Sequence, residues 1–353
     1  MTTPVENLVS PPDSPPVAAP DTRAIRVVKA FRRQTRLREF LPAGLLVLTL
    51  LIFSLITPAF FSVRNFANIA DQSAVIIIAG MGLTLVILAG SIDLSVGSVA
   101  GLAAVIAASF ATSRAVSGLE WIPDVGSWSI LIGLAVGVII GLISGSIFAT
   151  LRVPSFVVTL GVLTLVAGLQ VVWTSGTPIA INDPFLLDIG FARLFGVVPL
   201  TFIIALLCVA LCVVLARFTP FGRFLYALGG NERVAVMSAI PVTRVKIAMF
   251  GLSGGFAALA GILEASRNGS ATPSLGGGLE LMAIAAVVIG GTPLTGGTGG
   301  PIGTLIGALI ITALSAGLNI VGVPPQWSPV ITGLVLIVAV IVSTDRKRIG
   351  IIK

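Results

Sequence analysis

Two carboxylates stand in stretches that otherwise have the composition of a bilayer interior: Asp93, within Gly90-Ser91-Ile92-Asp93-Leu94-Ser95, and Glu280, after Gly276-Gly277-Gly278. A charge left unpaired in hydrocarbon costs several kcal/mol, so an acidic group at membrane depth is a candidate for a gate, an ion site or a solute contact. Each also has a structural use. Asp93 is placed to cap the following helix through the exposed amides of its first turn, and Glu280 to act as a first-turn carboxylate favoured by the helix dipole. The sequence holds no histidine, which removes histidine-based metal sites, catalytic triads and proton relays. Lys29, Lys246, Lys347 and Lys353 all lack the glycine-rich approach of a phosphate-binding loop. The chain therefore reads as carrying no catalytic residue, metal site or cofactor of its own, and any ATP and magnesium that drive it belong to another chain.

Those carboxylates must be held by helices that cross a membrane. Of the 353 residues, 56% are hydrophobic and 10% charged, and the mean hydropathy is +1.10, which leaves almost nothing to cover a water-soluble surface. One span takes about 20 apolar residues, and by that ruler the chain divides into about ten spans. They run over roughly 40–60, 72–91, 94–112, 126–151, 154–174, 195–216, 246–265, 275–291, 300–321 and 325–344. The fold class expected is an all-α polytopic membrane protein. An even number of spans puts both termini on one side. Of the 21 Lys and Arg residues only Arg64, Arg114, Arg193 and Arg267 fall opposite the termini, a bias that predicts cytoplasmic termini. The net charge of +7 flanks spans, where anionic lipid and topology account for it, so the bilayer rather than nucleic acid is the expected partner.

Residues 1–38 read as a proline-rich disordered tail followed by a basic stretch. In that stretch Ile25, Val28, Phe31 and Leu37 alternate with Arg and Lys, either as a helix on an anionic surface or as a solvated flank. Residues 39–345 form the transmembrane domain and 346–353 a basic tail. No cleavable signal peptide is expected, because the first apolar run is of spanning length and lies some forty residues in. Gly133, Gly137, Gly141 and Gly145 recur every fourth residue in the fourth span, and Gly97/Gly101 and Gly303/Gly307 repeat that spacing, predicting helices packed backbone to backbone. Cys208 and Cys212, one turn apart, read as apolar packers. Residues 90–97 resemble residues 290–297, a hint of internal repetition of the kind common in transporters.

The longest polar stretch between spans covers residues 217–245. Gly229 and Gly230 are expected to break the chain, Asn231 to cap a helix of about nine residues, and Pro241 to end it. Val234, Met237 and Ile240 would share one apolar face, and a helix so short needs something to dock against.

Three stretches together resemble the permease subunits of ribose-type sugar ATP-binding cassette (ABC) importers. Residues 89–98 read A-G-S-I-D-L-S-V-G-S, close to that family's G-G-I-D-L-S-V-G-S. Gly229-Gly230-Asn231-Glu232 through Ser238-Ala239-Ile240 is similar to its cytoplasmic coupling segment. Residues 280–294, E-L-M-A-I-A-A-V-V-I-G-G-T-P-L, and the glycines that follow form the third. Val236, Ala239, Met282 and Thr298 depart from the family's frequent arginine, glycine, aspartate and arginine. The resemblance implies a type II ABC importer permease-like bundle in a bacterial inner membrane. It implies two permease copies or similar chains, an ATPase subunit below and a periplasmic or lipid-anchored sugar-binding protein above. Gly230, Asn231, Glu232, Arg233, Ser238 and Ile240 would couple to the ATPase, and Asp93, Ser95, Gly97, Glu280, Gly290, Gly291 and Pro293 would structure the pathway and its gates. The alternative is a self-sufficient secondary transporter or channel that uses Asp93 or Glu280.

Overall fold

The computed structural model describes residues 41–111 and 125–324, with isolated positions between 326 and 337. The expected tails over 1–38 and 346–353 lie outside the described residues, as does most of the tenth span. In chain order the helices are α1 (Leu41–Ile56), α2 (Val63–Leu88), α3 (Val96–Ala111), α4 (Ser129–Leu151), α5 (Ser155–Thr174), α6 (Pro184–Phe191), α7 (Leu200–Phe218), α8 (Pro220–Gly230), α9 (Glu232–Met237), α10 (Val242–Asn268), α11 (Leu279–Ile289) and α12 (Pro301–Val321). Six of them, α2, α4, α5, α7, α10 and α12, are long and apolar enough to cross a membrane. Two antiparallel strand pairs join loops: β1 (Ile179–Ala180) with β4 (Ser270–Ala271), and β2 (Arg193–Leu194) with β3 (Val198–Pro199).

Each of the first nine expected spans overlaps one helix, but three boundaries differ for physical reasons. α2 begins at Val63 rather than near 72, because Ser62 caps it by accepting from the Asn65 amide at 3.3 Å, and a hydropathy ruler skips the polar turns that follow. α10 extends to Asn268, past the charged Glu264 and Arg267. The eighth span shrinks to α11, because Gly276 and Gly278 adopt positive φ and hold residues 275–278 out of the helix.

α10 is the central helix, packed against α4, α3 and α2. The α4 glycine stripe faces it as expected. A Cβ at Gly137 would run into the carbonyl of Gly254, and one at Gly141 into the carbonyl of Phe250. The opposite face of α4, with Ile139 and Ile143 exposed, has the apolar character of a lipid-facing surface. Cys208 and Cys212 are buried within α7, the latter thiol 3.9 Å from the Met81 carbonyl, as packers.

Candidate functional site

Residues 91–95 run without helical structure into the bundle, so their backbone needs outside partners. The Ile92 amide donates to the Ser155 hydroxyl and the Leu94 amide to the Thr159 hydroxyl, each at 3.1 Å, from the first turns of α5. Asp93 is 2% exposed and binds in another direction. Its Oδ1 accepts from the Ser95 amide at 3.0 Å and the Ser95 hydroxyl at 2.6 Å, and its Oδ2 from the Ser253 hydroxyl of α10 at 2.8 Å. The expected cap on first-turn amides of α3 is therefore replaced by a local turn on Ser95 and a tie to the central helix. Asp93→Leu would leave the Ser253 hydroxyl and Ser95 amide buried without this acceptor, at about 1–3 kcal/mol for each orphaned group. Thermal unfolding in detergent should show a clear loss of stability for that variant and a smaller one for Asp93→Asn, which keeps acceptor oxygen at the site.

One turn further on, Gly97 lies against Glu280 and the carbonyl of Gly276. A Cβ on Gly97 would collide with both, and a Cβ on Gly276 with the Gly97 carbonyl. α3 and α11 thus start side by side. With 16 and 11 residues they are about 24 and 17 Å long, short of the ~30 Å hydrocarbon thickness. Gly101 lies against the Leu275 carbonyl while Gly90 lies against Thr295, so the two half-helices leave their common start in opposite directions. Glu280 occupies the first turn of α11 as expected.

Gly290, Gly291 and Pro293 lie beyond the far end of α11, so the candidate pathway residues form two groups rather than one. At this second place the two similar stretches meet: the Gly297 amide donates to the Leu88 carbonyl at 2.9 Å, and Gly90 touches the Thr295 carbonyl. α8 ends on the same spot. The expected break falls at the end of the glycine pair: α8 runs through Gly229 and stops at Gly230, just before Asn231 caps the next helix. A Cβ on Gly229 would strike the Leu88 carbonyl and the Gly296–Gly297 backbone, so glycine is needed there for close approach. The Tyr226 hydroxyl donates to the Gly299 carbonyl at 2.9 Å. Burial pushes its acidity constant above the usual phenol range, opposed by Arg217, which keeps it a donor.

Asn231 caps α9 as expected, its Oδ1 accepting from the Arg233 and Val234 amides at 3.0 and 3.2 Å. The helix has six residues rather than about nine, because Ala239 turns left-handed at φ 57° and Ser238 folds its hydroxyl back onto the Val234 carbonyl at 2.9 Å. A non-glycine residue in that region costs about 1–2 kcal/mol. Ala239→Gly is therefore expected to raise stability by about 1 kcal/mol, measurable as a higher unfolding temperature. Glu232 accepts from Lys246 of α10 at 2.6 Å. That ammonium sits 4.5 Å from the centre of the Phe148 ring of α4, and Phe148 packs on Phe250 with centroids 5.5 Å apart. Glu232 thus fastens α9 to the bundle. Of the three residues expected on one apolar face, Ile240 is half-buried, while Val234 is 55% and Met237 87% exposed.

Three polar residues that no sequence motif singles out, Asp71, Glu264 and Arg267, gather at the α3/α11 junction. Asp71 of α2 accepts from the Thr201 hydroxyl at 2.7 Å, and its backbone carbonyl accepts from Arg267 at 3.1 Å. Glu264 stands one turn before Arg267 on α10. The signal existed, because Glu264 lies inside the expected seventh span and the rule that singles out Asp93 applies to it equally. Asp71 falls just outside the expected second span, whose start at 72 lies nine residues after that of α2.

The chain matches the family model described as "Branched-chain amino acid transport system / permease component" over residues 65–340. It is 40% identical over 306 residues to the ribose import permease protein RbsC of Escherichia coli (strain K12), covering 86% of this chain and 92% of that one. It is 39% identical over 306 residues to RbsC of Bacillus subtilis (strain 168), covering 86% and 91%. The galactose/methyl galactoside import permease protein MglC of E. coli (strain K12) is 37% identical over 327 residues, covering 89% and 97%. No solved structure matches.

Proposed function

This chain belongs to the family of branched-chain amino acid transport system permease components, and on that premise we propose that it is the membrane-spanning subunit of an ABC importer carrying a monosaccharide of the ribose or galactose kind inward. The relatives' names support the sugar class. In this reading the protein spans a bacterial plasma membrane with both termini cytoplasmic and pairs with a second permease copy. It receives solute from a sugar-binding protein, which sets most of the selectivity. ATP and magnesium are handled by a separate ATPase subunit.

The observation that carries the proposal is the position of α8 and α9. α9 leaves Val234 and Met237 uncovered on the outside of the bundle, while the end of α8 touches Leu88 and residues 296–297 directly. A push on α9 is thereby delivered to the two loops that lead to Asp93 and to α11, a route by which ATPase closure would switch access between the two sides. The Asp93 carboxylate accepts from the Ser95 amide and hydroxyl and from the Ser253 hydroxyl, which favours a structural tie over an ion-coupling site at that residue. Replacing Glu232 and Arg233 with alanine together should lower solute-stimulated ATP hydrolysis several-fold in the reconstituted complex; unchanged stimulation would remove α9 from the coupling path.

A further inference from the structure

A cavity of about 660 Å³ opens between α2, α10, α11 and α12, within the range of about 300–1,000 Å³ typical of small-molecule sites. It is not apolar. Asp71, Gln72 and Asn68 enter from α2, Glu264 and Arg267 from α10, and Asn319 from α12. Its floor is formed by residues 276–278, the segment whose backbone lies against Gly97. A solute held there would rest on the junction where α3 and α11 begin.

The chemistry of the lining narrows what fits. Two carboxyl groups and one guanidinium line the cavity, so the lining offers an anion no excess of positive charge. The guanidinium gives one of its five donors to the Asp71 carbonyl, at 3.1 Å. Asp71 is held on one side by Thr201 at 2.7 Å, and among the described residues its Oδ2 has no hydrogen-bond partner. The side-chain amides of Asn68, Gln72 and Asn319 offer donors and acceptors together. This mixture suits a neutral polyhydroxylated molecule, each of whose hydroxyls both donates and accepts. None of the lining residues is aromatic, so the apolar face of a sugar ring finds no stacking platform, and holding is weak enough to permit release.

We infer that this cavity is a low-affinity transit site for a neutral monosaccharide within the permease chain itself, with Asp71 and Glu264 as its principal hydroxyl acceptors. The inference rests on the sugar-importer reading and deepens it, because it gives the membrane subunit a selectivity of its own, for neutral over anionic solutes.

The test is saturation-transfer NMR on the purified full-length chain in detergent, with D-ribose, D-galactose, D-ribose 5-phosphate and L-leucine as probes. Expected are signals from ribose or galactose and none from ribose 5-phosphate or leucine. Asp71→Asn and Glu264→Gln, which preserve side-chain size, should each weaken sugar binding about tenfold. Gln72→Ala, on the exposed rim, should weaken it less and guards against a folding defect in the first two. Absence of any sugar signal from monodisperse wild-type protein, or equal signals in all variants, would overturn the site. If the assembled transporter still takes up the sugar with ATP in that case, the sugar-importer reading stands and only the transit site fails. A leucine signal in place of sugar would overturn the sugar-importer reading itself.

Discussion

A Val234→Asp, Met237→Asp double variant should lose ATP-driven transport almost completely while folding normally. Both side chains are more than half exposed, and exposed substitutions seldom change stability by more than about 0.5 kcal/mol. In the assembled transporter, however, an apolar patch on α9 would be covered by the ATPase, and two carboxylates buried there without partners would cost several kcal/mol. At about 1.4 kcal/mol per tenfold change, docking weakens roughly a hundredfold. The readouts are recovery of the ATPase on affinity purification of the permease and ATP-dependent uptake in proteoliposomes, with circular dichroism confirming the fold. Full recovery of the ATPase by the double variant would show that this face of α9 is not the docking surface.

The second large effect is expected inside the bundle. Gly141→Leu drives a branched side chain into the carbonyl of Phe250, where the obstacle is helix backbone and cannot rotate away. Overpacking of well-packed interiors costs about 1–3 kcal/mol and more when backbone must shift, and here α4 must separate from the central helix. Size-exclusion profiles of the detergent-solubilised protein should show loss of the monodisperse peak. Ile143→Ala, on the exposed face of the same helix, should leave the profile unchanged.

These two predictions draw on different parts of the sequence. The α4 stripe was legible at once, because glycine at every fourth residue leaves one helix face without side chains and little but close packing uses such a face. The Asn231 cap was equally legible, being a local hydrogen-bond pattern. What could not be read was anything decided by distant contact. Gly229 and Gly230 read as a helix break, and α8 does stop at Gly230, but what requires glycine at 229 is the close approach of Leu88 and residues 296–297. Glu232 looks like a free surface charge until Lys246, fourteen residues on, folds back to it at 2.6 Å.

The half-helices were hidden for a related reason. Hydropathy counts apolar residues along the chain and does not distinguish a helix from a loop or turn of the same composition. Residues 90–95 and 275–278 therefore look like the edges of full spans. Their glycines carried the information, but only the approach of Gly97 to Gly276 shows what they are for. Asp71, Glu264 and Arg267 each sit near an end of an expected span, where a charge looks like a marker of the membrane surface rather than a cavity wall.

The central claim, that this chain is an importer permease moved by a separate ATPase, is tested most directly by solute accumulation in proteoliposomes. Vesicles holding the chain with its partner ATPase and binding protein should accumulate radiolabelled D-ribose or D-galactose only when ATP is supplied, and vesicles holding the chain alone should not, whatever proton or sodium gradient is imposed. Gradient-driven accumulation by the chain alone would contradict the account and return Asp93 or Glu280 to consideration as an ion-coupling site.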